Sequence, residues 1–196
     1  MKPLLIATQN PGKVKEFQKL LHPFFSCRAA DSHCPPVKED GENYRENAFK
    51  KAQAFYQIYQ VPVLADDSGL EVDCLGGAPG IYSARYGSPD FSWKERFNYL
   101  YQQLKGTPVD QWSARFRCVL CYFDGKTEPF FFEGTCEGRI EPQLRGEEGF
   151  GYDPLFFSLD LQKGFGEASE AEKARVSHRG RAVQAFLDWI VKNPTS

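Results

Sequence analysis

The stretch at residues 61–87, "VPVLADDSGLEVDCLGGAPGIYSARYG", joins an apolar run to an acidic pair. The run at 61–65 predicts a buried strand that ends at Asp66 and Asp67. Adjacent carboxylates repel each other, and burying either one is costly unless it is paired or bound to a metal. A solvated Asp-Ser-Gly turn would explain the same residues without any function. The stretch alone leaves the turn and an acidic site both open.

Segments before this stretch alternate between strand and helix patterns. Residues 4–8 predict a short buried strand, and 13–21 predict a helix after an intervening loop with Gly and Pro. Residues 27–40 carry two prolines and predict a loop or a sheet edge, whereas 43–60 predict a long amphipathic helix. Strand, loop and helix in this order are typical of an α/β unit.

The second half predicts further helices and a β-meander. Residues 91–104 predict a helix, and 112–141 predict two strands around an Asp-Gly turn. Residues 149–157 predict a glycine-rich loop before a short strand, and 169–193 predict one closing helical segment. With no repeat or linker, the sequence predicts one α/β domain with a mixed sheet over residues 1–196.

The bulk composition excludes several functional classes. The 196 residues are 41% hydrophobic and 26% charged, which is typical of a globular domain. A net charge of −2 offers no bulk attraction for nucleic acid or an anionic membrane. No run approaches the roughly 20 apolar residues of a membrane span. The start also lacks the apolar core of a secretory signal, so we expect a cytoplasmic protein.

The spacing of the cysteines argues against a metal or redox site. Cys118 and Cys121 form a C-x-x-C within a predicted strand, where residues three apart point to opposite faces. No second such pair completes a zinc site. We therefore expect free thiols at all six positions, which are Cys27, Cys34, Cys74, Cys118, Cys121 and Cys136.

Residues 8–13, "TQNPGK", form the first candidate site. A helix N-terminus attracts anions, and the lysine offers a charge for phosphate. The Walker A spacing is absent. An ordinary strand-to-helix turn with Lys13 in solvent is the alternative.

Acidic residues at 38–42, "KEDGE", and the Asp66-Asp67 pair form the second candidate site. Carboxylates without nearby histidines suit Mg²⁺, which typically takes one or two of them together with waters and substrate phosphates. His22 and His33 stand in loop contexts, and we do not expect either to bind a metal.

Two more segments complete the set of candidates. Residues 148–154, "EGFGYDP", could stack an aromatic ring on a base or could pack a turn onto the core. Residues 172–182, "EKARVSHRGRA", are the most basic short stretch. Ser177 could cap a helix whose first turn carries His178 and Arg179. Cations there oppose the helix dipole, so they indicate an anionic or polar partner, or else a solvated basic face.

Six segments together resemble the inosine/xanthosine triphosphate pyrophosphatase family. They are "LIATQNPGKVKEF", "ENAFKKA", "LADDSGLEVDCLGGAPGIYSARYG", "ARFRCVL", "GFGYDPLFF" and "SHRGRA", in the family's order across nearly the whole chain. The resemblance implies an α/β fold as a single elongated domain of two lobes around a long mixed β-sheet flanked by helices. It also implies a homodimer and Mg²⁺-dependent hydrolysis of dITP, ITP and XTP to the monophosphate and pyrophosphate, which removes deaminated purines from the nucleotide pool.

The resemblance also implies roles for individual residues. Asp67 is similar to the family's general base and magnesium ligand, and Glu39 is the expected second ligand. The implied substrate contacts are Thr8, Gln9, Asn10, Pro11, Gly12, Lys13, Ser68, Phe150, Gly151, Tyr152, Asp153, Lys173, His178 and Arg179.

Two positions depart from the family pattern. Gln9 stands where the family usually has a small residue, and Lys38 stands where an acid is common. Asp40 and Glu42 therefore compete with Glu39 as the second ligand. The family's chemistry predicts that Asp67 activates a water for attack on the α-phosphorus while Mg²⁺ offsets the repulsion within the aspartate pair.

Three other functions stay open from the sequence. A pyrophosphatase for other modified nucleotides would share the acidic site. A nucleotide-binding module would lack turnover, which the intact aspartate pair argues against. A nucleic-acid binder would use the basic stretch at 172–182, which the near-neutral net charge argues against.

Overall fold

The computed structural model describes residues 2–31 and 34–193, so His33 lies outside the described residues. Within this part of the chain, seven strands form one sheet in the order β2-β1-β3-β4-β5-β6-β7. The strands are β1 (Lys2–Ile6), β2 (Phe25–Ala29), β3 (Val63–Val72), β4 (Ser113–Phe123), β5 (Phe130–Ile140), β6 (Phe156–Ser158) and β7 (Lys163–Gly164). The helices are α1 (Pro11–Leu21), α2 (Tyr44–Tyr59), α3 (Trp93–Leu104), α4 (Glu170–Val176) and α5 (His178–Lys192).

The sheet is mixed, as predicted. Strand β1 pairs in parallel with both β2 and β3. Strand β6 pairs antiparallel with both β5 and β7. The predicted α/β class is therefore confirmed.

Two compact units divide the described chain. Unit 1 takes the described residues of Met1–Asp67, Cys118–Gly134 and Arg179–Ser196. Unit 2 takes Ser68–Arg117 and Thr135–His178. None of the described helices has the length and apolar character needed to cross a bilayer.

Unit 1 has an apolar cluster on each face of its strands, because side chains alternate along a strand. Leu64 belongs to the cluster that contains residues of α1 and α5, such as Phe17 and Phe186. Ala65 belongs to the other cluster, which contains Ala52 of α2. Each face of β3 in unit 1 is thus covered by different helices.

Unit 2 has one apolar cluster rich in aromatic rings. The Phe116 ring lies 4.6 Å from Phe156 and 5.9 Å from Phe165, measured between centroids. The residues of α3 in this cluster include Phe97 and Leu100. This packing is the scaffold beneath the loop at 148–154.

Helix starts follow side-chain capping. Asn10 precedes α1, and its Oδ1 accepts hydrogen bonds from the N–H groups of Gly12 and Lys13. Asn43 does the same for Glu46 at the start of α2. These bonds satisfy N–H groups that have no partner within the helix.

The structure corrects one predicted element and agrees with two predicted alternatives. Strand β3 does not end at the aspartates but continues to Val72. Residues 25–29 form the edge strand β2, which agrees with the sheet edge predicted as one alternative for residues 27–40. The closing helical segment is interrupted at Ser177, whose ψ of 155° is extended, and α5 begins at His178, where a helix following Ser177 was predicted to begin.

Candidate active site

Asp66 and Asp67 are neighbours within β3, so their side chains point to opposite faces of the sheet. Asp66 shares the face of Leu64, and Asp67 shares the face of Ala65. The solvated turn and the strand end are therefore both wrong. The two carboxylates have different surroundings although they are adjacent in sequence.

Asp66 is held by protein cations. Lys13 Nζ donates to Asp66 Oδ2 at 2.8 Å, and Arg179 Nη2 lies 3.5 Å from the same oxygen. Arg179 Nη1 also donates to Glu16 Oε2 at 2.6 Å. Asp66 and Arg179 are 1% and 2% exposed, so this network is shielded from solvent.

The charges around Asp66 decide its ionisation. Burial acts to raise the pKa of Asp66, but the cations of Lys13, Arg179 and Lys51 outweigh it and lower the pKa below its usual range. Asp66 is therefore ionised, with its charge offset by Lys13 and Arg179. This corrects the expectation that Mg²⁺ is needed to offset the repulsion of the pair.

Asp67 has the opposite environment. Burial raises the pKa of Asp67 to about 6, with the charge of Glu39 adding to the rise and that of Lys51 opposing it. Asn47 Nδ2 donates to Asp67 Oδ2 at 3.0 Å. A carboxylate with this pKa is largely ionised at neutral pH and still able to accept a proton, as a general base requires.

Glu39 is bonded to helix α2, which packs on the face of the sheet that carries Asp67. Lys51 Nζ donates to Glu39 Oε1 at 2.5 Å. Burial acts to lower the pKa of Lys51, but Asp66, Glu39 and Asp67 together raise it. Lys51 is thus a buried cation among three carboxylates.

Asp40 and Glu42, the alternatives to Glu39 as second metal ligand, do not share its contact with Lys51 in the hydrogen bonds and ion pairs of the described residues. Asp40 forms ion pairs with Lys38 at 3.2 Å and Lys50 at 2.8 Å, and these lysines lower its pKa to about 2. The Glu42 side chain is exposed. The placement therefore favours Glu39 over both competitors as the partner of Asp67.

The donors present fit Mg²⁺. Within residues 2–31 and 34–193, no group of three or more His, Cys, Asp or Glu side chains is arranged to hold a metal. Asp67 and Glu39 supply two carboxylates, and Mg²⁺ typically completes its shell with waters and substrate phosphates. Burial and, to a smaller extent, the charge of Glu39 raise the pKa of Asp67, and a bound cation would oppose both effects.

The loop before α1 is more constrained than predicted. The N–H groups of Gly12 and Lys13 are taken by the Asn10 side chain, so they are not open to an anion here. Gln9 Nε2 donates to the carbonyls of Asp31 and Cys34, at 3.1 and 3.0 Å. Gln9 thus connects two loops. Thr8, Gly12 and Lys13 are partly exposed, while Gln9, Asn10 and Pro11 are exposed.

The glycine-rich loop of unit 2 is organised by Asp153. Its Oδ2 accepts from Phe150 N at 2.7 Å and from Lys173 Nζ at 2.5 Å. Gly149 has a φ of +79°, and a Cβ there would meet Asp153 Oδ2 at 2.1 Å, so a side chain at this position is excluded. Lys173 Nζ also lies 4.9 Å from the centre of the Phe150 ring.

The two aromatic side chains of this loop differ. Tyr152 is buried, with its hydroxyl donating to Ser83 O at 3.1 Å and its ring against Trp93. Phe150 is partly exposed. Tyr152 therefore packs onto the core, as one alternative predicted, and Phe150 is the more exposed of the two rings.

The remaining predicted residues are His178 and Arg179, at the start of α5, and Ser68 in β3. His178 is buried in unit 2, with its ring stacked 4.8 Å from Phe116. Arg179 belongs to the unit 1 network, so the anionic partner indicated by its position is supplied by Glu16 and Asp66. Ser68 follows Asp67 in β3 and is partly exposed.

The sequence patterns did not identify three residues that contact the acidic side chains of unit 1, namely Asn47, Lys51 and Glu16. Asn47 and Lys51 stand four apart on α2, on the face that also carries Ala48 and Ala52. Polar residues within an apolar helical stripe are a usable signal. Glu16 stands three residues after Lys13, a spacing that places both on one side of α1.

Comparison with known proteins gives consistent matches over nearly the whole length. The model of the Ham1 family matches residues 4–189. The dITP/XTP pyrophosphatase of Bacillus cereus is 41% identical over 195 residues, covering 97% of this chain and 95% of that protein. The dITP/XTP pyrophosphatase of Syntrophobacter fumaroxidans is 47% identical, covering 96% and 83%. The structure of a HAM1 protein from Coxiella burnetii superposes with a TM-score of 0.88 at 32% identity, covering 98% of this chain and all of that one.

Proposed function

The chain belongs to the Ham1 family, and on this premise we propose that it hydrolyses dITP, ITP and XTP to the nucleoside monophosphate and pyrophosphate. Relatives named dITP/XTP pyrophosphatase, at 41% and 47% identity, support the substrate class. The proposed purpose is removal of deaminated purines from the nucleotide pool.

The observation that carries this proposal is the environment of Asp67. Burial raises its pKa to about 6, Asn47 orients its carboxylate, and Glu39 lies close enough to act on its charge. Asp67 accepts a proton from the attacking water as general base, because it is largely ionised near pH 7. The bond that breaks is the one between the α and β phosphates.

Asp67 and Glu39 would hold Mg²⁺, which when bound neutralises phosphate charge. Lys51 keeps Glu39 in place through their ion pair. Lys13 is 18% exposed at its side chain while bonded to Asp66, so its amine can also meet a phosphate oxygen. The cations thus stabilise charge on the leaving pyrophosphate.

Base recognition is assigned to unit 2. Phe150 supplies a ring on which a purine can stack, and Lys173 and Asp153 fix the loop that carries it. Hypoxanthine and xanthine have a 6-oxo acceptor where adenine has a 6-amino donor. A buried donor that meets this oxygen would be left unpaired by ATP, which discriminates by roughly 10⁴-fold in comparable sites. Guanine shares the 6-oxo group, so GTP has to be rejected at its 2-amino group.

The remaining parts of the proposal follow from the family resemblance. We assign residues 1–196 to a single pyrophosphatase domain, acting as a cytoplasmic homodimer on free nucleotides. The net charge of −2 supports free nucleotides over nucleic acid as the substrate.

The test is pyrophosphate release from dITP, XTP, GTP and ATP, each with and without Mg²⁺. Fast release from dITP and XTP that requires Mg²⁺, with GTP and ATP nearly inert, is the expected result. Equal turnover of all four would overturn the base recognition and leave the carboxylate chemistry. No turnover of any of them would overturn the proposed activity and favour a binding module.

A further inference from the structure

One buried amide links the two proposed metal ligands. Asn47 of α2 is fully buried, and its Nδ2 donates to Asp67 Oδ2 at 3.0 Å. Its Oδ1 accepts from Gly41 N at 2.8 Å. An asparagine side chain has both donors and an acceptor, so this one group connects β3 to the loop that carries Glu39. We call Asn47, Gly41 and Asp67 the Asn47 clasp.

The loop is pressed closely onto α2 at Gly41. A Cβ built at Gly41 would lie 2.7 Å from Asn47 Oδ1 and 2.8 Å from Glu46 Cβ. Such distances are too short for carbon, so any side chain at this position would push the loop away from the helix. Gly41 is therefore required for its hydrogen bond to Asn47 to form.

Glu39 stands two residues before Gly41 and is held by the same helix. Lys51, one turn after Asn47 on α2, donates to Glu39 Oε1 at 2.5 Å. Residues four apart on a helix share a face. Asn47 and Lys51 thus hold the loop at two points. Asn47 also bonds to Asp67.

We propose that Asn47 is a positioning residue that sets the separation of Asp67 and Glu39 and thereby the affinity of the site for a divalent cation. Asn47 does not contact the cation or the nucleotide in this proposal. Its part is to orient one carboxylate directly and the other through Gly41. The proposal rests on the function proposed above only in taking Asp67 and Glu39 as the metal ligands.

The test uses Asn47→Ala and Gly41→Ala in the full chain, with Mn²⁺ as the probe in the absence of nucleotide. Asn47→Ala removes both hydrogen bonds, whereas Gly41→Ala keeps the amide and displaces the loop. Mn²⁺ binding is measured by electron paramagnetic resonance. We expect its dissociation constant to rise about tenfold or more in both variants, because groups that orient metal ligands typically have effects of this size.

Asn43→Ala is the matched control. Asn43 is the exposed cap of the same helix, and its described bonds are to Glu46 rather than to Asp67. We expect this variant to bind Mn²⁺ as the unsubstituted protein does. If Asn43→Ala weakened Mn²⁺ binding as much as the clasp variants do, any disturbance of the start of α2 would be enough to weaken it. That result would overturn the proposal.

A second readout separates positioning from general damage. In pyrophosphate release from dITP, the half-saturating Mg²⁺ concentration should rise about tenfold in the clasp variants, with a smaller fall in kcat at saturating Mg²⁺. If Asn47→Ala does not fold, Gly41→Ala decides the question. Unchanged Mn²⁺ affinity in a folded clasp variant, or no Mn²⁺ binding by the unsubstituted protein, would overturn the proposal. Weakened Mn²⁺ binding without turnover of any nucleotide would support the clasp and overturn the proposed function.

Discussion

Unit 1 and unit 2 each contain a lysine–aspartate pair with a buried carboxylate, but the two pairs have different surroundings. In unit 2, Lys173 and Asp153 lie among aromatic rings, and Asp153 also accepts a backbone N–H of the loop. In unit 1, the Lys13–Asp66 pair belongs to a network of four carboxylates and three cations: Glu16, Glu39, Asp66, Asp67, Lys13, Lys51 and Arg179.

This difference supports the two kinds of ligand group proposed for the two units. The pair in unit 2 is one-to-one and fixes the shape of a loop with a partly exposed ring, which suits an uncharged aromatic group such as a base. The network in unit 1 has one more carboxylate than cations, and Asp67 is the acid whose pKa is raised. An unbalanced acid among cations suits a divalent ion and phosphates.

The largest expected effect is on turnover when Asp67 is changed. Asp67→Asn removes the proposed general base while keeping the size of the side chain, so kcat for dITP should fall about 10³-fold. Pyrophosphate release measures this. Asp73→Asn is the control, because Asp73 is paired with Arg115 in unit 2 and should leave turnover near normal. Near-normal turnover of Asp67→Asn would remove Asp67 from its assigned role.

Asp66→Asn should show the largest effect on stability. It leaves the buried Arg179 and the partly exposed Lys13 without one counter-charge, which should lower the free energy of unfolding by about 3 kcal/mol at pH 7. The folded pKa of Asp66 lies below the ordinary 3.8, so its contribution is present above that value and is lost as the pH falls. Urea unfolding should therefore show a smaller difference in the free energy of unfolding between Asp66→Asn and the unsubstituted protein at pH 3 than at pH 7.

Asp67→Asn should change stability in the opposite direction. The folded pKa of about 6 is above the ordinary 3.8, so the folded state binds more protons between these values and loses stability as the pH rises through them. Removing this carboxyl group should stabilise the metal-free protein by about 2 kcal/mol at pH 8 and by almost nothing at pH 4. Urea unfolding in a chelator measures both, and a loss of stability at pH 8 would contradict the environment assigned to Asp67.

The smallest effect is expected in unit 2. Phe150→Ala removes the ring proposed to stack on the base, which should raise KM for dITP about tenfold with a smaller change in kcat. Phe157→Ala is the matched control, because Phe157 is a partly buried ring of unit 2 packed against Arg139. Equal effects of the two substitutions on KM would show that Phe150 has no special part in binding.

The alternation of strands and helices could be predicted from the sequence because the local spacing of apolar residues differs between strands and helices. Helix α2 begins and ends within one residue of the predicted 43–60 range. The cysteines at 118 and 121 lie in opposite apolar clusters, as their spacing on a strand predicts. All six cysteines are free, as expected.

The partners of the charged residues could not be predicted in the same way. The position of Asn47 and Lys51 within the apolar stripe of α2 indicates that they are buried, but it does not show which residues they contact. The sequence likewise does not show that Gln9 bonds to the carbonyls of Asp31 and Cys34. These contacts join segments that are distant in the chain.

By itself, the sequence determined that an apolar strand leads into two neighbouring aspartates. The structure added that this strand continues through both to Val72, so that their side chains point to opposite faces of the sheet. Tertiary structure alone decided what each one meets. Lys13 and Arg179 reach Asp66 from 53 and 113 residues away, on α1 and α5, while Asn47 reaches Asp67 from α2. Which helices cover which face of a sheet is set by packing of whole elements, and that packing gives one aspartate a lowered pKa and its neighbour a raised one.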